Sequence, residues 1–240
     1  MAYHAVETKE KQNMTLFYGQ RLNLNQPENG YRPSLDAILL SAAIQKGTTI
    51  FDVGCGIGTA GLCLKKRRPE IRLTGIDIQH ENIEYAKQNA IQNSIDAAFI
   101  HGDIKSLKSP QTFDHVISNP PFYEAHKVKL PQNEHKLLSH VLHNITLKEW
   151  VNFCLKHSNE YVTLIHLPEI LPELLKLFES LGSLKVFPIW SQGKAERIII
   201  QASKKSKAPL RLLNGLTLQD ENGYTKEAED ILKHAQGISL

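Results

Sequence analysis

Short apolar runs alternate with helix-periodic stretches through the middle of this chain, and that rhythm leaves few folds open. Thr49 to Val53, Arg72 to Ile76, Ala97 to His101, Phe113 to Ser118 and Tyr161 to His166 are each of strand length. Helical patterns separate them: a stretch to about Lys66, then Glu81 to Asn93, then Thr146 to Lys156. In the second of these, Ile83, Ala86, Ala90 and Ile91 fall on one face. Such alternation predicts a mostly parallel sheet with crossover helices. Leu171 to Leu181 predicts a further helix. Lys185 to Ile189 and Arg197 to Ala202 predict an antiparallel pair, because the gap between them is too short for a helical crossover. Upstream, an extended pair around Leu16–Phe17 and Arg21–Leu24 turns through Gly19. A helix follows over Leu35 to Ile44 with Ser34 as its N-cap. Beyond Ser203 the chain is more polar, with an amphipathic helix near Lys226 to Ala235. No linker divides the sequence, so one domain is expected over 1–240. It comprises an N-terminal extension (1–45), a core (46–203) and a tail (204–240).

The chain has 240 residues, 41% of them hydrophobic, and no apolar run approaches the roughly 20 residues that span a bilayer. Residues 1–14 are polar and lack an apolar signal region, so a cytoplasmic protein without membrane association is expected. A net charge of +3 and a pI of about 8.6 permit nucleic acid as a partner without requiring it. The basic runs Lys65 to Arg68 and Lys204, Lys205, Lys207 and Arg211 read as solvated ends of a helix and a strand. Cys55, Cys63 and Cys154 are too few and too scattered for a disulfide framework and read as reduced, structural thiols. Eleven histidines, His135, His140 and His143 among them, form no metal-ligand spacing, so no metal is expected.

Two motifs carry chemistry. Asn119-Pro120-Pro121-Phe122 follows the fourth apolar run. Paired prolines hold the backbone extended with its carbonyls free. The Asn119 amide oxygen and the Pro120 carbonyl can then accept both hydrogens of one planar NH₂ group, while Phe122 stacks on the ring that carries it. That arrangement suits methyl transfer to an amino nitrogen. The second motif, Asp52-Val53-Gly54-Cys55-Gly56-Ile57-Gly58, sits where the first core run meets its helix, at the ligand-binding edge of such a sheet. Gly54, Gly56 and Gly58 let the backbone approach a nucleoside. Asp77 closes the second run, where a carboxylate accepts from both ribose hydroxyls, and Asp103 closes the third, where it accepts from an adenine amino group. Gly56 to Gly61 also satisfies the dinucleotide pattern GxGxxG, with Asp77 as its ribose acid. Asp52 favours the other reading, since a carboxylate suits an ammonium-bearing cofactor such as S-adenosylmethionine and repels a pyrophosphate. A dehydrogenase also has no use for Asn-Pro-Pro-Phe.

Together these residues resemble the class I S-adenosylmethionine-dependent methyltransferases, a Rossmann-like α/β fold with a mostly parallel seven-stranded sheet and an antiparallel C-terminal strand pair. The Asn-Pro-Pro-Phe motif is similar to that of the branch that methylates amino groups. The segments Arg21 to Ile44 and Ala208 to Leu232 resemble the flanking signatures of the bacterial tRNA1(Val) adenine-37 N6-methyltransferase family. The resemblance implies S-adenosyl-L-methionine as cofactor, held by Asp52, Gly54, Gly56, Gly58, Asp77, Ile78, Asp103, Ile104 and Asn119. It implies that Tyr31 and Arg32, within Gly30 to Asp36, close over the methionine end. Asn119, Pro120 and Phe122 would be the catalytic residues. Pro121, Tyr123, Lys127, Lys129 and Arg197 would contact the substrate, a tRNA or other structured RNA. The enzyme would act as a monomer or weak homodimer. The sequence departs from the family in its loop 124–135, which is mixed in charge where relatives are basic.

The rival substrates are guanine N2 in rRNA and a protein glutamine. The guanine enzymes often carry a duplicated domain and the glutamine enzymes a helical N-terminal domain, and this sequence shows neither. A rival of another class is a non-catalytic RNA-binding scaffold, against which the joint presence of Asp52, Asp77, Asn119 and Phe122 argues.

Overall fold

The computed structural model describes residues 13–27, 34–107, 111–121 and 145–240. Strands β1 (Asn13–Phe17) and β2 (Leu22–Gln26) form the expected antiparallel hairpin. Its turn places Tyr18, Gly19 and Gln20 at positive φ, and a Cβ on Gly19 would strike the Lys233 carbonyl. Helix α1 (Leu35–Ala42) is buried along most of its length. The core then alternates as the pattern requires: β3 (Thr49–Val53), α2 (Thr59–Arg67), β4 (Arg72–Asp77), α3 (His80–Gln92), β5 (Ala98–His101) and β6 (Phe113–Ser118). After 145 come α4 (Leu147–His157) and β7 (Ser158–His166). A short 3₁₀ turn and α5 (Leu171–Leu177) lead to β8 (Gly182–Ser191) and β9 (Lys194–Ser203).

Strands β4, β3, β6 and β7 are parallel neighbours, with β5 beyond β4, and β9 runs antiparallel between β7 and β8. This is the Rossmann-like sheet with an antiparallel terminal pair. The tail extends it. Strands β10 (Arg211–Leu212) and β11 (Leu216–Asp220) both pair in parallel with the outer edge of β8, one at each end. Strand β12 (Gly223–Tyr224) borders β11, giving ten strands where the pattern predicts seven. The two-residue strands β10 and β12 carry no alternation to read, and β11 is a short run in a polar tail. Helix α5 stops at Leu177, short of the predicted Leu181, because a turn through Phe178 to Leu181 leads directly into β8.

Two apolar layers flank the sheet. Helices α1 and α2, Ala90 of α3 and helix α6 (Lys226–His234) share one with the hairpin; α4 and α5 fill the other. Asparagines knit the hairpin to α3. The Asn89 amide oxygen accepts from Asn25 N (2.7 Å), and its nitrogen donates to the carbonyls of Asn25 and Ile57 (3.1 Å each). Asn93 pairs with Asn23 in the same way. Two arginines of the basic run at the end of α2 are structural, while Lys66 is solvated. Arg67 donates to the Ser41 and Ile44 carbonyls at the end of α1 (2.6 and 2.7 Å), and Arg68 donates to Gly47 (3.0 Å). Arg21 Nε donates to the Lys233 carbonyl (3.4 Å), and Ile238 N to Ala42 (2.8 Å), so the tail clasps both the hairpin and α1. Among the described residues no helix is long and apolar enough to cross a membrane, and no group of three or more His, Cys, Asp or Glu side chains could hold a metal.

Candidate active site

The chain leaves β3 towards β4 and β5 on one side of the sheet, then returns to β6 and β7 on the other. The crevice between β3 and β6 is therefore the switch point, where open α/β sheets bind ligands. Val53 pairs with Ser118 in register, so Gly54 and Asn119 leave adjacent strands at the same level. This pairing joins the two motifs.

Gly54, Gly56 and Gly58 all have left-handed backbones, with φ of 70°, 54° and 85°. At Gly54 the conformation and the space agree, since a Cβ there would lie 2.8 Å from Trp150. The loop hangs from β4. Gly54 N and Cys55 N both donate to the Ile76 carbonyl (2.9 Å), and Gly56 N donates to Asp77 Oδ2 (2.9 Å). Asp77 Oδ1 accepts from Gln79 N (2.8 Å) and Asn82 Nδ2 (3.3 Å). Burial raises the Asp77 carboxyl above its ordinary range, although these donors oppose the shift. Asp52 is 2% exposed, and its Oδ2 accepts from Gly61 N (3.0 Å) in the first turn of α2. Burial pushes its carboxyl up to about 7, and the Asp77 charge adds to the shift. In that position Asp52 braces the start of α2 from beneath the loop.

On the β5 side, Gly102 N donates to the Asp77 carbonyl (3.0 Å), tying the two strand ends together. Asp103 opens a turn, with Oδ1 accepting from Lys105 N (2.9 Å). Ile78 is 45% exposed beside Asp77, an apolar surface at the cleft. Its carbonyl accepts from His101 Nε2 (3.0 Å), which assigns that nitrogen the proton. Ile104 is half-buried against the layer that holds α4.

On the β6 side, Asn119 is half-buried, Pro120 buried and Pro121 half-buried. Trp150 of α4 supports them, and nothing in the sequence pattern marks it for that task. Its Nε1–H donates to Ser118 Oγ (3.0 Å), Ser118 Oγ donates to the Val53 carbonyl (2.6 Å), and its ring packs on Gly54. One side chain thus spans both motif loops. Buried tryptophans need a partner for the indole N–H, and that is the only sequence-level hint.

Arg197 stands at the carboxyl edge of the sheet, outside the β3–β6 pair. It lies at the start of β9, two strands beyond β6, where its Nε meets Asp36 Oδ2 at 2.9 Å. Lys194 pairs with Glu196 (3.3 Å). Tyr31, Arg32, Phe122, Tyr123, Lys127 and Lys129, together with loop 124–135, fall outside the described residues. All three cysteines are free and buried, with thiols raised by burial, so they are poor nucleophiles.

The fit to S-adenosylmethionine rests on the donor set. A left-handed glycine turn admits a ligand against the backbone, the Asp77 carboxylate closes β4 beside that turn, and Ile78 offers an apolar face. No feature of the described crevice opposes that cofactor. Residues 35–144 match the family model for the methyltransferase small domain. A structure described as a predicted O-methyltransferase from Agrobacterium tumefaciens superposes with a TM-score of 0.67 at 22% identity, covering 85% of this chain and 98% of that one. The fold is that of the class I S-adenosylmethionine-dependent methyltransferases, and residues 35–144 carry the match to a methyltransferase domain.

Its similarity within the superfamily is divided. A release factor glutamine methyltransferase from Enterococcus faecalis is 33% identical over 109 residues, covering 44% of this chain and 39% of its own length. A tRNA1(Val) (adenine(37)-N6)-methyltransferase from Vibrio campbellii is 29% identical over 113 residues, covering 45% and 47%. The match thus spans less than half the length of either of these two relatives.

Proposed function

We propose that the protein methylates the exocyclic N6 of an adenine in RNA, the adenine 3′ to the anticodon of a tRNA, and that its site is the β3–β6 crevice. The observation that carries the reading is the pairing of Val53 with Ser118, which puts Asn119 beside Gly54. The tRNA-methylating relative and the flanking segments Arg21 to Ile44 and Ala208 to Leu232 support the choice of base.

S-adenosylmethionine, when bound, supplies a methyl group activated on a sulfonium. The glycine turn, with Asp52 bracing α2 beneath it, and Asp77 would hold it, with Ile78 and Asp103 at the adenine end. Asn119 Oδ1 and the Pro120 carbonyl would accept the two N–H hydrogens of the target and so localise the nitrogen lone pair. Pro120 and Pro121 fix that geometry in advance, and such preorganisation is where most rate enhancement originates. The nitrogen exchanges one hydrogen for the methyl and releases it as a proton. No strong base is needed, because the newly alkylated nitrogen is very acidic. An unpaired anticodon-loop base reaches the crevice for at most a few kcal/mol of unstacking.

The same pair of acceptors fits a primary amide, and the glutamine-methylating relative favours that second reading. Incubation with labelled S-adenosylmethionine and bulk tRNA, followed by nucleoside analysis, decides between them. N6-methyladenosine supports the proposal. Unlabelled tRNA together with methylglutamine on a release factor overturns it.

A further inference from the structure

We propose that a second pocket, at the edge of the sheet opposite the crevice, binds a phosphate group. It lies at the amino ends of β7 and β8 and the carboxyl end of β9, a cavity of about 170 Å³. That volume admits a phosphate group.

Three ammonium groups reach it from three separate segments: Lys46 after α1, Lys185 on β8 and Lys205 after β9. Glu160 is the one carboxylate in the lining, and it pairs with Lys205 at 3.2 Å. Lys46 Nζ stands 5.5 Å from the Tyr161 ring centroid. Lys185 donates to the Leu240 carbonyl (2.7 Å). Burial, together with the like charges of Lys46 and Arg211, holds the Lys185 ammonium below its ordinary range. An anion placed among these cations would relieve their repulsion, and lysines serve as point-charge phosphate binders.

The floor is built in advance. Gln201 and Ser203 line the pocket and are 8% and 5% exposed. A polar chain fixes Gln201: its Nε2 donates to Thr163 Oγ1 (3.0 Å), which lies 2.7 Å from His115 Nε2, while His115 Nδ1 lies 3.1 Å from the Lys46 carbonyl. The carbonyl can only accept, so Nδ1 carries the proton and the Thr163 hydroxyl donates to Nε2. Ser203 Oγ accepts from Lys205 N (3.3 Å), which leaves its hydrogen to donate elsewhere. The rim is pinned as well. Ser183 N donates to the Ala208 carbonyl (2.7 Å), and Gly182 passes so close to Ser206 that a Cβ would overlap its carbonyl. Rigid walls, buried polar groups and excess positive charge together describe an oxyanion site. The inference does not depend on the methyl-transfer reading.

The test compares wild type with the double variant Lys46→Gln, Lys205→Gln, both changes at exposed positions. Isothermal titration with inorganic phosphate, at constant ionic strength set with chloride, should show a wild-type affinity at least tenfold above that of the variant. Cofactor affinity should be equal in the two, which establishes that the variant is folded. Equal phosphate binding in both proteins, or none in wild type, overturns the proposal. A second arm identifies the source of the phosphate. If RNA supplies it, the slope of log affinity against log salt for bulk tRNA falls by about 1 in the variant. If the slope is unchanged while phosphate affinity still drops, the site takes a free phosphorylated compound.

Discussion

Asn119 and Asp52 each present one oxygen that decides a function, and substitution separates their tasks. Asn119→Ala removes an oriented acceptor, so turnover should fall at least about a hundredfold, the scale seen when one preorganised polar group is lost. Cofactor affinity, measured by equilibrium dialysis, should hold. Near wild-type turnover would remove Asn119 from the mechanism. Asp52 is tested through pH. Its folded carboxyl titrates near 7 against an ordinary 3.8, so the native state keeps a proton that the unfolded chain gives up. Its contribution to stability therefore falls as pH rises from about 4 to about 7. Asp52→Asn keeps an acceptor for Gly61 and abolishes the titration. Urea unfolding at pH 5 and pH 8 should show wild type losing ground to the variant at the higher pH, by up to several kcal/mol at about 1.4 per pH unit.

At the scale of elements, strands β3 and β6 and helix α4 act as one unit through Trp150. Trp150→Phe keeps the ring against Gly54 and deletes the donor to Ser118 Oγ. The expected cost is about 1 kcal/mol in urea unfolding, the usual net worth of one hydrogen bond. Turnover should fall further than cofactor affinity, since the lost bond lies on the Asn119 side. An equal fall in both would make Trp150 a packing residue alone. This coupling shows where sequence reading stops. Strands β3 to β7 and their helices were legible because apolar period and length agree over each segment. Both glycine and proline motifs were legible because their backbones demand those residue types. Trp150 was not, because its role arises from adjacency to Gly54 and Ser118, far away in sequence. The Arg197–Asp36 pair was illegible for the same reason, since its members lie 161 positions apart.

Across the whole molecule, charge burial sets the response to acid. His115 and His166 are buried and neutral, each lowered to about 4 by desolvation. The unfolded chain takes up protons on both near 6.5, while the native state refuses them until about 4. Stability from these two groups is therefore lost as pH falls through that window. Asp52 and Asp77, both raised by burial, oppose them. His115→Gln removes one group of the destabilising pair, so its urea midpoint should gain on that of wild type between pH 7 and pH 5. An unchanged difference between the two proteins over that window would contradict the assignment. The polar tail belongs to this scale too. Its strands β10 and β12 were invisible in the sequence because a two-residue strand has no pattern, yet with β11 they complete the edge of the sheet.

The Lys233 carbonyl meets both Gly19 and Arg21, and Ile238 bonds Ala42. A ribosome makes those partners in the reverse order of need. The hairpin and α1 emerge first, and Lys233 follows 212 positions after Arg21. Native closure of this face must therefore wait for residues beyond 230, and a nascent chain stalled earlier would expose Leu22, Leu24 and Leu40 to chaperones.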